Sequence, residues 1–149
     1  MTTEYDTVAT EHDISHFDPP AFFVGPRHID PAEIPWLFLK KPGGHIGVFE
    51  PGDSQFKLCV TSPKIQAGLW RALPGEMYWM DIHPDSDEFW YVISGVSTFW
   101  LPDVKELYEV PAGQFFYVPG NMRHQTINRS PEPLLVLFAS APVTNPAHH

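Results

Sequence analysis

Apolar and polar residues alternate along this chain in short runs, and turn residues break the runs every eight to twelve positions. A period of two is the signature of a strand with one buried face. It predicts strands at Trp36–Lys40, Gly44–Glu50, Phe56–Thr61, Gln66–Leu73, Tyr78–His83, Glu88–Ser94 and Ser97–Leu101, then at Glu106–Val110, Gln114–Val118, Gln125–Asn128 and Leu134–Ala139. Between them stand Pro51-Gly52-Asp53, Pro74-Gly75, Ser94-Gly95, Pro111-Ala112-Gly113 and Arg129-Ser130-Pro131, each a set of residues suited to turn backbone. Many short strands joined by such turns make an antiparallel sandwich or barrel. The only helical signal is one turn at Asp30-Pro31-Ala32-Glu33, with Asp30 as cap and proline in the first position.

The first 18 residues break the alternation. They carry Glu4, Asp6, Glu11, Asp13 and Asp18 and no Lys or Arg, so residues 1–25 are expected to form an acidic, partly disordered arm. Its end, with Phe17, Phe22, Phe23 and Val24 around Pro19-Pro20, has the character of an extended segment packed on something. Residues 26–149 then form one barrel domain, since neither an internal repeat nor a linker divides them.

Composition changes this picture little. The 17 prolines exclude long helices, and 43% hydrophobic residues are enough for a globular core. A formal charge of −9 argues against nucleic acid and anionic membranes as partners. One cysteine, Cys59, cannot make an internal disulfide and fits a reducing compartment. With no membrane-length apolar run and no leader pattern, the expected location is cytoplasmic.

The chemistry gathers in residues 75–128. Asp81 and His83 are two apart, so on a strand they share a face. Glu88 follows the polar turn Pro84-Asp85-Ser86-Asp87 and can return beside His83, and His124 follows Pro119-Gly120-Asn121 on a later hairpin. Nitrogen and oxygen donors converging from three strands would make a metal site. Each alone would read as a core histidine or a turn carboxylate.

Two ordered motifs decide between these readings. The first, G-x5-H-x-H-x4-E-x6-G, is met by Gly75, His83, Glu88 and Gly95; the second, G-x5-P-x-G-x2-H-x3-N, by Gly113, Pro119, His124 and Asn128. In these residues the chain resembles the cupin superfamily. The resemblance implies an all-β fold, an antiparallel double-stranded β-helix or jelly-roll barrel, with one divalent metal per chain held by Asp81, His83, Glu88 and His124. It also implies a homodimer. Two positions depart from the pattern: Asp81 stands at the first motif histidine and Asn121 at the motif glycine. Asn tolerates left-handed backbone nearly as glycine does. Asp81 either ligates the metal or stands off it as a catalytic acid or base.

If Asp81 and His83 face inward, alternation turns Trp79 inward too and leaves Tyr78, Met80 and Ile82 on the other face. If Glu88 faces inward, so do Trp90 and Val92, with Phe89, Tyr91 and Ile93 opposite. Thr126 and Asn128 would share the face of His124. The candidate pocket is therefore Trp79, Trp90 and Thr126, with Arg71 as a possible anion contact. The second apolar face needs a cover: another sheet, the Phe17–Val24 arm or a partner subunit. Imidazole and carboxylate donors suit Fe(II) first, and also Mn, Zn, Ni or Cu. Two histidines and one carboxylate point to a dioxygenase-type oxidoreductase acting on a small aromatic or carbonyl substrate. The alternatives are a lyase or isomerase using the metal as Lewis acid, and a binding protein without catalysis.

Overall fold

The computed structural model describes residues 21–41, 43–44, 49–81 and 85–143, with only the backbone of Met80 and Asp81. Most of the acidic arm, the strand expected over Gly44–Glu50 and the site residue His83 therefore lie outside the described residues, or largely so. Among the described residues a one-turn 3-10 helix at Pro31–Glu33 comes first, capped by the Asp30 carboxylate, which accepts from Ala32 N at 3.0 Å. Ten strands follow: β1 (Leu37–Leu39), β2 (Ser54–Thr61), β3 (Gln66–Ala72), β4 (Met77–Asp81), β5 (Asp87–Ser94), β6 (Val96–Leu101), β7 (Glu106–Pro111), β8 (Phe115–Val118), β9 (His124–Ile127) and β10 (Leu134–Ala141).

The strands pair antiparallel into two sheets, ordered β1-β2-β3-β10-β5-β8 and β4-β9-β6-β7. This is the expected all-β architecture. Alternation sets what each strand buries: β3 runs buried, half-buried, buried along its length, and β5 alternates from Asp87 to Val92. Between the sheets lie Phe56, Trp70, Tyr78, Trp90, Val92, Phe99, Val136 and Phe138, all essentially inaccessible. Their rings meet edge to face, as ring quadrupoles prefer, with Tyr78 and Trp90 at 4.9 Å and 90°.

One correction concerns the parity of β4. Tyr78 was expected on the outer face, yet it is buried and packs on Trp70, Trp90 and Phe138. Pairing with β9 slips between Tyr78 and Asp81, so Tyr78 stands opposite Thr126 and Asp81 opposite His124. Three steps on β4 are matched by two on β9, which is a β-bulge. Strict alternation cannot cross it.

A hydrogen-bond relay joins the sheets at the β2–β4 end. Trp70 Nε1 donates to Ser54 Oγ at 2.7 Å, and Ser54 donates to Met77 O at 2.5 Å. Beside it Lys40 is buried against Asp53 at 2.6 Å and Glu50 at 3.2 Å. Burial alone would pull the Lys40 ammonium pKa down. The bonds to Asp53 and Glu50 outweigh that and hold it above its ordinary value.

The described end of the arm does not cover the apolar face of β5. Phe23 N donates to Thr61 O at 2.9 Å, at the far end of β2. Phe89, Ile93, Phe115 and Tyr117 remain exposed on the outer side of β5 and β8.

Trp70 holds both core volume and the relay. Trp70→Ala is expected to lower stability by about 3–5 kcal/mol, read as a fall in the urea midpoint. A midpoint equal to the native one would show that the core does not depend on it.

Candidate metal centre

His124 opens β9 and Glu88 is the second residue of β5, so the two come from different sheets. Nε2 of His124 lies 2.9 Å from Oε1 of Glu88, and each side chain is only 1% exposed. The other ring nitrogen, Nδ1, faces Met122 O at 3.2 Å. A carbonyl only accepts, so this contact places the proton on Nδ1 and leaves a lone pair on Nε2. That lone pair and the carboxylate oxygens then face each other in a buried space. Two lone-pair groups in such an approach require something positive between them: a proton, carried by the imidazole or by the carboxyl, or a metal ion.

Asp81 is directly opposite His124 in the β4–β9 pairing. The structure thus brings together three of the four expected ligand positions, Glu88 and His124 by side chain and Asp81 by backbone register. Among the described residues, which do not include His83, no cluster of three or more His, Cys, Asp or Glu side chains stands ready for a metal. The donor set fits a divalent ion of the Fe, Mn, Zn, Ni or Cu type, hard oxygen and borderline nitrogen without thiolate. Cys59 is not a donor here: it stands at an irregularity in the β2–β3 pairing, and burial pushes its thiol pKa up while Lys57 pulls against it.

The motif turns are in place around these groups. Asn121 adopts φ 65°, the left-handed conformation expected of it at the motif glycine position. Gly95, at φ 88°, leaves no room for a side chain, because a Cβ would lie 2.6 Å from Pro133 O. Motif residue Asn128 is structural: its amide donates to Ala72 O and Glu132 O, and its Oδ1 accepts from Ser130.

The pocket residues divide. Trp90 and Thr126 are fully buried one step along the same strands, two residues from Glu88 and His124 respectively, and the Trp90 ring lies 6.3 Å from that of His124. Neither Trp90 Nε1 nor Thr126 Oγ1 has a hydrogen-bond partner among the described residues. Trp79 lies at the rim of the core and donates to Leu39 O at 3.3 Å. Arg71 is on the other face of β3 from Trp70, stacked 4.0 Å over Trp36 and bonded to Gln55 at 2.7 Å. Its strand parity turns it away from the interior, so the anion-contact reading of Arg71 is corrected.

Sequence reasoning missed Gln66, Thr61 and Ser140. All three are buried, and β-pairing sets Thr61 opposite Gln66, Gln66 opposite Ser140 and Ser140 opposite Glu88. The available signal was a polar residue at an interior position: Gln66 has the parity of Gly68 and Trp70.

This fold and these motif positions define a double-stranded β-helix protein. Residues 68–140, from β3 to β10, match the family model described as a cupin domain, so that stretch of the chain is a cupin domain. Among curated proteins none matches the sequence. Several solved structures share the fold. A predicted oxalate decarboxylase from Thermotoga maritima superposes with a TM-score of 0.66 at 15% identity, covering 78% of this chain and 100% of that one. KdgF from Halomonas sp. gives 0.59 at 21% identity, covering 85% and 96%. A conserved double-stranded β-helix protein of Klebsiella pneumoniae gives 0.59 at 22%, covering 65% and 84%. At these identities the likeness is one of fold. Among the described residues no helix is long and apolar enough to cross a membrane.

If the lone pairs of His124 and Glu88 meet a metal, His83→Ala, Glu88→Ala and His124→Ala should each lose most of the metal found in native protein. Far-ultraviolet circular dichroism should stay native. Full occupancy by elemental analysis in any two of the three would refute the assignment.

Proposed function

We propose that this cupin-domain protein is a metal-dependent enzyme acting on a small organic molecule inside the barrel. His83, Glu88 and His124 are its metal ligands, and Asp81 is a fourth ligand or a proton-transfer group. The observation that carries the reading is the buried approach of His124 Nε2 to Glu88 Oε1 at 2.9 Å, with Nδ1 turned to Met122 O. Two imidazoles and a carboxylate are a donor set suited to Fe(II) with open positions, and the reaction class proposed first is a dioxygenase-type oxidation. When bound, the metal would supply electrophilic or redox chemistry. The chain's own part is to hold the donors rigid, exclude water behind Trp90 and Phe138, and orient the substrate.

The pairing of Asp81 with His124 favours a second reading, a lyase or isomerase. A second carboxylate at the site makes it more anionic, and it can accept and return a proton at a carbon beside a carbonyl. Oxygen uptake by Fe(II)-loaded protein supplied with small carbonyl compounds would support the first reading. Turnover of the same compounds without oxygen would replace it with the second. In either case Asp81→Asn is expected to slow turnover by about 10²–10⁴-fold if Asp81 moves a proton. A native rate with native metal content would make Asp81 a structural substitution.

The expected homodimer belongs to the same proposal. Among the described residues β8 is an edge strand, and Phe115 and Tyr117 on it are 66% and 57% exposed beside Phe89 and Ile93. An uncovered aromatic edge of this kind favours pairing with a second copy of the chain. Phe115→Glu should therefore shift a dimer toward monomer in light scattering. A native protein that is monomeric at all concentrations would remove the dimer.

A further inference from the structure

The interior beside Glu88 and His124 is not uniformly apolar. One row of the larger sheet runs Thr61, Gln66, Ser140, Glu88 through directly opposed pairs. Opposed residues in antiparallel strands point to the same face. All four are at most 4% exposed. Gln66 is two strands from Glu88, about 10 Å between backbones, with Ser140 on the strand between them.

Gln66 is the sharpest feature of this row. Its Nε2 meets Thr61 Oγ1 at 3.4 Å, and its Oε1 has no partner among the described residues although the residue is wholly inaccessible. Thr61 engages one end of the amide only, so either setting of the amide leaves one end bare. A buried amide end without a partner costs free energy unless a ligand or water satisfies it. One row along, Trp90 Nε1 and Thr126 Oγ1 are bare in the same way. An indole N–H can only donate, and a threonine hydroxyl can do both. Together these bare groups suit a molecule with several hydroxyl and carbonyl oxygens.

Charge narrows the class further. Lys40 is tied to Asp53 and Glu50, Lys57 donates to Pro31 O at 2.7 Å, and Arg71 lies on the outer face. None of these three cations faces the row. Glu88, with Asp81 opposite His124, would already balance a divalent metal, leaving no positive excess for an anionic substrate.

We propose that Gln66, Ser140, Thr126 and Trp90 form a substrate subsite for a small, uncharged polyhydroxylated carbonyl compound, of the sugar or hydroxyketone class. This rests on the reading of the interior as the reaction site, and it adds the substrate class. Gln66 is a positioning and specificity residue, and the substrate oxygens bind against it.

The test uses the full chain, with metal content measured on each sample by elemental analysis and binding by calorimetry. The probes are dihydroxyacetone, hydroxyacetone and glycolate. Native protein should bind dihydroxyacetone best and glycolate worst. Gln66→Met should weaken dihydroxyacetone binding by about tenfold and erase its advantage over hydroxyacetone, while metal content stays native. Thr126→Val serves as the second variant should Gln66→Met fold poorly, with the same loss expected. If glycolate binds tightest, if none of the probes binds, or if both folded variants keep native affinity, the subsite is refuted. Metal content reports separately. Probe binding that depends on Gln66 in metal-free protein would uphold the subsite and remove the metal, and metal without probe binding would do the reverse.

Discussion

What the larger sheet brings to the candidate centre depends on β10 being paired on both sides. It lies between β3 and β5, so the inward residues of three strands are locked in one register. Phe138 stands opposite both Gly68 and Trp90, and Ser140 opposite both Gln66 and Glu88. A slip of one residue would turn all of these to the outer face. The aromatic row beneath and the polar row above therefore come as one unit. Core packing fixes the position of Trp90, and the same strand carries Glu88 two residues before it. The rigidity of the donor set is inherited from the core.

The two sheets contribute different residues to the candidate centre. The larger one supplies Glu88 and the row of Gln66 and Ser140, while the smaller one supplies His124, Thr126 and the backbone position of Asp81. Neither sheet alone holds the centre. Trp70, Ser54 and Met77 link the sheets at one end through hydrogen bonds.

Much of this was legible in the chain. Turn residues and alternation located the strands to within a few residues because the turns are short and one face of each strand is buried. The 3-10 turn with its Asp30 cap followed from the Asp-Pro order. The motif spacing placed Glu88 and His124 on strands that do meet. Parity failed at β4, because a bulge adds a residue without any mark in the sequence, and Tyr78 rather than Trp79 entered the core. Arg71 illustrates a different limit: its side of the sheet was set by the neighbouring parity, but its partners Trp36 and Gln55 come from separate strands or segments that pattern alone does not bring together. Gln66 was hidden because a lone glutamine in a strand is read as solvent-facing until its burial is seen.

The bulge in β4 has its own effect on how this protein can change. On one side of it Tyr78 is bound into the aromatic core; on the other Asp81 faces His124 across the pair. The extra residue lets the backbone meet two demands that a regular strand would couple. A new side chain at position 81 changes the residue paired with His124 without moving position 78 out of the aromatic core. The bulge thus works as a mechanical joint between folding and chemistry, and the aspartate at this position is the kind of variation such a joint permits.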